Sequence, residues 1–300
     1  MKKTQKKSKY RSNITKKNNN KRFIIGLISV PNNKGTRYEN CHIINKYLIS
    51  KFKSKSIDLL YIKYNDPKLY SVLDKIDALI LPAASRFNME SCNKDNSHDF
   101  EKHMYRLYKY LKKINDGERI FPVLSVCYTY QMTILYEKYK KTLPKFFHST
   151  CYTDDDAFEK VNMKNSNPKI FYTKYAKTSE LFRDYIKNKK SDHIWHNNTY
   201  GFNYDKIIKK PWFIKNYKPL CYSLNQLNTK VLQAVEHKKY PFFAIQFHPE
   251  YKTETRPLYD FFSKYIINNV KNNENRLTSS EVKSYNKSFN IHKFVYIISK

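Results

Sequence analysis

The chain has 300 residues, 40% of them apolar and 16% aromatic, which suffices for a substantial core and excludes disorder throughout. Its formal net charge is +31, of which the first 22 residues supply ten Lys or Arg and no acid, so the body that follows still carries about +21. Five scattered cysteines (Cys41, Cys92, Cys127, Cys151 and Cys221), with no pair at CxxC spacing, argue against a disulfide framework or a thiolate zinc site.

Residues 1–22 read as a disordered basic tail. A nuclear-targeting or nucleic-acid-binding arm is one reading of it, and solubility on a Lys-rich background is the other. FIIGLISV (23–30) lies behind a long polar stretch and has no small-residue cleavage site, so it is not a secretory signal. No run approaches the length of a membrane span. The compartment that fits is reducing: cytoplasm, nucleus or a virion.

FIIGLISV itself reads as a buried strand ending at Pro31. Residues 40–53, with Ile43, Tyr47, Leu48 and Phe52 at helical spacing, read as a helix. IDLLYI (57–62) and IDALILP (76–82) read as strands, the second stopped by Pro82. Residues 98–114 place Phe100, Met104, Leu107, Leu111 and Ile114 on one helical face. IFPVLSV gives a fourth strand, and Tyr128, Met132, Leu135 and Tyr139 line the helix after it. This alternation predicts parallel βαβ units and a three-layer α/β domain with a mostly parallel sheet. The stretch 142–225 is less regular and holds Asp154, Asp155 and Asp156 and the segment DHIWHNNTYGFN (192–203). KVLQAVEH (230–237) and YPFFAIQF (240–247) read as strands. PLYDFFSKYIINNV (257–270) reads as a helix with Pro257 in its first turn. The last 30 residues are polar until KFVYII and form a C-terminal extension, open to packing on the domain.

Two places have the form of a site. Cys127, in FPVLSVCYTYQ, stands at the C-terminal end of a buried strand and the start of a helix, where sites in open α/β sheets collect and where N–H groups and the helix dipole favour a thiolate. His248, in FHPE, ends another buried strand, with Glu250 two residues on. A thiol nucleophile needs a base, and the base needs an orienting carboxylate. Cys127, His248 and Glu250 supply one of each.

PVLSVCYTYQ followed by YPFFAIQFHPE resembles the class I glutamine amidotransferase-like superfamily, with its flavodoxin-like three-layer fold, and within it the γ-glutamyl hydrolases. RFIIGLISVP is similar to that family's opening strand, IDALILPAAS to its IxGxLxPGG segment, and Tyr240-Pro241 to the dipeptide before its last strand. The resemblance covers roughly residues 22–270. It implies cysteine-dependent hydrolysis of γ-glutamyl amide bonds, with folate poly-γ-glutamates as substrates, through a thioester on Cys127. It also implies His248 as base, Glu250 as its orienting partner, and an oxyanion hole from the backbone N–H groups of Tyr128 and Ala84. His196 aligns with a substrate-side histidine, and packing by Trp195 is the alternative account of it. No metal or organic cofactor is implied. The partners that follow are a small polyanionic γ-glutamyl substrate and weak nucleic-acid contact through residues 1–22, with a homodimer open and no membrane.

The sequence departs from the family's Gly-x-Cys-x-Gly elbow, with Ser125 and Thr129 at the glycine positions, and from Pro-Gly-Gly, with Pro82-Ala83-Ala84. Three readings therefore stand side by side: an active γ-glutamyl hydrolase, a degenerate member that binds without turnover, and a glutaminase-type amidotransferase relative. Gln131, four residues after Cys127, suits the last.

Overall fold

A computed structural model describes residues 22–31, 42–45, 56–81, 83, 95–139, 156–188, 191–249, 257–271, 273–288 and 292–294. Apolar residues at alternate positions build the frame. Ile24, Ile28, Leu60, Leu79 and Val123 face one side of a central sheet, and Ile25, Leu27, Ala78, Leu124 and Val126 face the other. Strands buried on both faces read as unbroken apolar runs, which is why these segments stand out in the sequence.

The strands in chain order are β1 (Phe23–Ile28), β2 (Val30–Pro31), β3 (His42–Asn45), β4 (Ile57–Ile62), β5 (Ala78–Leu81), β6 (Val123–Val126), β7 (Phe158–Ser166), β8 (Ile170–Tyr172), β9 (His196–Phe202), β10 (Tyr217–Leu224), β11 (Lys230–His237), β12 (Phe242–Ile245) and β13 (His292–Phe294). The helices are α1 (Leu69–Leu73), α2 (Asp95–Asp116), α3 (Tyr128–Lys138), α4 (Lys174–Thr178), α5 (Phe182–Asn188), α6 (Tyr204–Ile207), α7 (Pro211–Asn216), α8 (Pro257–Asn269) and α9 (Ser279–Ser288).

The central sheet has the order β4-β1-β5-β6-β12-β11-β10-β8. Its first five strands pair in parallel and the remaining pairings are antiparallel. Taken alone, the parallel strands follow the flavodoxin-like order 2-1-3-4-5. Helices α1, α2, α3, α7 and α9 cover one face, through residues such as Leu73, Leu107, Ile134, Phe213 and Val282. Helices α4, α5 and α8 cover the other, through Ala176, Phe182 and Phe262. The result is a three-layer α/β sandwich with a mostly parallel sheet. Gly26, mid-strand in β1, is where the layers come closest. A Cβ there would lie 2.7–2.9 Å from the side chains of Ile76, Leu79 and Ile62.

The sequence reading is corrected in two places. FIIGLISV is not one strand: it divides at Ser29, whose N–H donates to Ile62 O at 2.8 Å, and Val30–Pro31 joins a small separate sheet. Within the segment expected to be helical, His42–Asn45 is a strand, antiparallel to β2 and parallel to β13. Adjacent β-branched Ile43 and Ile44 favour a pleated pairing once two partners are available. Residues 46–53 of that expected helix, and residues 1–21 of the basic tail, lie outside the described residues. The irregular middle contains β7 and β9 as an antiparallel pair.

Candidate active site

Strand β6 ends at Val126 and helix α3 begins at Tyr128, which leaves Cys127 as the single joint residue. Its backbone sits at φ 54°, ψ −109°. The other non-glycine positive-φ residues among those described are asparagines, which tolerate the left-handed region. A cysteine at this φ costs about 1–3 kcal/mol and is held there by its surroundings. Cys127 N–H donates to Ile245 O at 2.7 Å, and Gln131 N–H donates to Cys127 O at 3.1 Å, closing the first helical turn. The thiol is free and only 9% exposed, at the head of a helix whose dipole favours an anion.

The residues that replace the elbow glycines are bonded rather than merely accommodated. The Thr129 hydroxyl lies 2.6 Å from Leu81 O and 3.0 Å from Val126 O, and it accepts Val126 N–H at 3.0 Å. Its one proton goes to the shorter contact, so Thr129 ties the first turn of α3 to the end of β5. Thr133 spends its proton on Thr129 O at 2.7 Å, so Ser125 is the donor in the 2.9 Å Ser125–Thr133 contact. Three hydroxyls thus stitch β5, β6 and α3 together beneath the sulfur.

The neighbouring strand brings the histidine. β12 runs parallel to β6 with Ile245 opposite Val126, so Gln246, Phe247 and His248 continue past the strand end beside Cys127. His248 is buried, its N–H donates to Trp195 O at 3.1 Å, and the Trp195 indole meets its ring edge-on at 5.4 Å. Trp195 therefore packs on His248 and hands the chain directly to His196, the first residue of β9.

His196 is completely buried. Its Nδ1 lies 3.2 Å from Asn198 Oδ1, and Asn198 Nδ2 donates to Tyr200 O at 3.0 Å. Because Tyr200 O can only accept, Asn198 must present its oxygen to His196, and the ring proton sits on Nδ1. Burial holds this imidazole neutral, pulling it down to about 3; Asn198 opposes the shift and nearby His248 adds to it. Nε2 is then a bare acceptor, with no hydrogen-bond partner among the described residues.

Tyr128 opens α3, so its backbone N–H heads the helix beside the sulfur. Its phenol turns away and donates to the buried carboxylate of Glu101 on α2. Burial pushes that carboxyl up to about 8, against the pull of the Tyr128 bond.

Of the residues singled out in the sequence, Cys127, Tyr128, His248 and His196 converge at the C-terminal ends of β6 and β12 and the start of β9. Glu250 and Ala84 lie outside the described residues. The sequence reading passed over Gln246, Asn198 and Thr133. The signals for them were slight: a Gln two residues before the histidine, an H-x-N pair at strand period, and a hydroxyl one helical turn beyond Thr129. Among the described residues no cluster of His, Cys, Asp or Glu has the form of a metal site, and no helix is long and apolar enough to cross a membrane.

Comparison with known proteins agrees with this geometry. The family model for glutamine amidotransferase class-I matches residues 102–266, more than half of the chain, from α2 through β6, the Cys127 elbow, β12 and His248 to α8. The structure of a GMP synthase subunit from Thermoplasma acidophilum aligns with a TM-score of 0.51 at 16% identity, covering 82% of this chain and 95% of that one. A glutamine amidotransferase from Thermotoga maritima aligns with a TM-score of 0.44 at 12% identity, covering 89% and 93%. No curated protein matches the chain.

Proposed function

The chain belongs to the class-I glutamine amidotransferase family, and from that premise we propose that it cleaves γ-glutamyl amide bonds through a thioester on Cys127, acting as a γ-glutamyl hydrolase on chains such as folate poly-γ-glutamates. The observation that carries this reading is Cys127 itself: a strained positive-φ cysteine at a strand–helix joint, with His248 arriving on the adjacent parallel strand.

In this reading Cys127 Sγ bonds to the carbonyl carbon while His248 takes the thiol proton. The carbonyl oxygen becomes an oxyanion facing the backbone N–H groups of Tyr128 and Ala84. Collapse breaks the C–N bond, and His248 returns the proton to the leaving amine. Water then attacks the thioester, with His248 as base, and frees the γ-carboxylate and the thiol. Glu250 orients His248. His196, with its bare Nε2, accepts an N–H from the substrate. The basic body of the protein raises the local concentration of a polycarboxylate substrate.

A second reading, glutamine as substrate with ammonia as product, draws on Gln131, whose amide is bound into the site. Incubation with a pteroyl poly-γ-glutamate, and separately with glutamine, distinguishes the two. The expected result is shortening of the glutamyl chain, abolished by Cys127→Ala and slowed about a hundredfold to ten-thousandfold by His248→Ala. Ammonia from glutamine with no chain shortening would favour the second reading. Binding of the polyglutamate with neither product would sink both and leave a binding protein.

A further inference from the structure

One polar chain in the site has its direction fixed from a single backbone atom. Gln131 Nε2 donates to Tyr200 O at 2.8 Å and to Gln246 Oε1 at 2.8 Å. A peptide carbonyl can only accept, so the Gln131 atom facing Tyr200 must be nitrogen. That nitrogen has two hydrogens, and its second meets Gln246, which must answer with its oxygen. Gln246 Nε2 is thereby turned toward Cys127, 3.5 Å from Sγ. Gln246 is wholly buried, and Cys127 nearly so. Water is largely shut out from the sulfur, and a thiolate there depends on donors supplied by the protein.

We propose that Gln246 is a working member of the site: its amide N–H stabilises the ionised sulfur of Cys127, and Gln131, anchored on the Tyr200 carbonyl, keeps that amide from turning over. The inference rests on the reading of Cys127 as the nucleophile. It gives β9 a part in the site beyond carrying His196, because the same carbonyl accepts from Asn198 and so also sets the His196 tautomer.

The test reads the sulfur rather than turnover, so it is independent of which amide is cleaved. In the full-length protein, alkylation of Cys127 by iodoacetamide is followed by peptide mass spectrometry across pH. The pH at which the sulfur ionises is read in parallel from ultraviolet thiolate absorbance, as the difference from Cys127→Ala. In Gln246→Met the neutral-pH alkylation should slow about tenfold, with the pH profile moved upward, because one hydrogen bond to a charged group is lost. Gln246→Glu should slow it further, since an acceptor-only carboxylate then faces the sulfur. Gln131→Met should give an intermediate loss, because the Gln246 amide is then free to turn its oxygen toward the sulfur. An unmoved pH profile in both Gln246 variants, or a uniform slowing at every pH, overturns the proposal. Should the Gln246 variants fail to fold by circular dichroism, Gln131→Met decides alone, and an unchanged profile there overturns it. A moved profile in a protein that cleaves no γ-glutamyl bond would uphold this inference while removing the proposed function.

Discussion

Thr129 is the residue at which expectation and structure differ most. A β-branched side chain at a position the family fills with glycine reads as a steric intrusion, yet its hydroxyl bonds both flanking strands. Thr129→Val keeps the shape and strands Leu81 O and Val126 N–H in a buried site, so urea denaturation should show a loss of about 1–3 kcal/mol. Thr129→Gly, the family-like residue, should destabilise at least as much, because it also adds unfolded-state entropy. A stabilised Thr129→Gly would mean that the hydroxyl bonds are incidental. The cysteine and the histidine were legible in the sequence because each ends a continuous apolar run, and such runs mark strand ends. Asn198, Gln131 and Gln246 were not legible as a group. They sit on three different elements, and their roles follow from which way each amide faces, which only the Tyr200 carbonyl decides.

Whole elements were legible wherever burial imposed a period and illegible where pairing came from afar. β4, β5, β6, β11 and β12 carry their apolar pattern within themselves, whereas β3 is a strand only because β2 and β13 flank it. The far end of α3 shows a second kind of hidden order. Glu137 is fully buried and accepts from Tyr108 at 2.7 Å and from Lys112 at 2.5 Å, with His237 Nε2 at 3.5 Å. His237 Nδ1 accepts the N–H groups of Lys239 and Tyr240, so its proton sits on Nε2, facing the carboxylate. Burial pushes Glu137 up, but the bonds from His237, Lys112 and Tyr108 outweigh it and bring the carboxyl down to about 2, from an ordinary 4.5. A depressed acid stabilises the fold above its unfolded value and loses that contribution as pH falls. The loss should therefore run from about 4.5 toward 2 and amount to on the order of 3 kcal/mol. His196, neutral in the fold and ordinarily titrating near 6.5, adds a loss in the same direction that begins at higher pH. Urea midpoints measured down this range should fall steeply for the wild type. Glu137→Gln should start lower and lose the part of the slope below 4.5, and an equal slope in the two proteins would refute this account of the cluster.

For the molecule as a whole, the question is how an eight-stranded sheet ends safely. β4 is its edge strand and exposes unpaired backbone groups to any passing chain. Asn286 on α9 answers as a strand would: its Oδ1 accepts Tyr61 N–H at 2.8 Å and its Nδ2 donates to Leu59 O at 2.8 Å. Ser279 bonds Asp58, Tyr285 bonds Asp66, and Val282 is buried in the core beneath. Just before the helix, Arg276 makes a paired contact with Asp77, at 2.7 Å from Nε and 2.8 Å from a terminal nitrogen, with both side chains fully buried. Burial pushes the Asp77 carboxyl up, and Arg276 with Ile24 N–H pulls it back only in part. None of this was legible in NNENRLTSSEVKSYNKS, because the segment binds through polar atoms and one apolar anchor, so it has no hydrophobic period to find. Two separable consequences follow. Arg276→Met should cost about 3–5 kcal/mol in urea, because it leaves a buried carboxylate without its counter-charge. Asn286→Ala should cost little in stability but open the β4 edge, so sedimentation should show self-association that grows with protein concentration. Removal of residues 271–300 should combine the two effects. A truncated protein that stays monomeric and melts with the full chain would mean that the sheet holds without its clasp, and that α9 merely rests on β4.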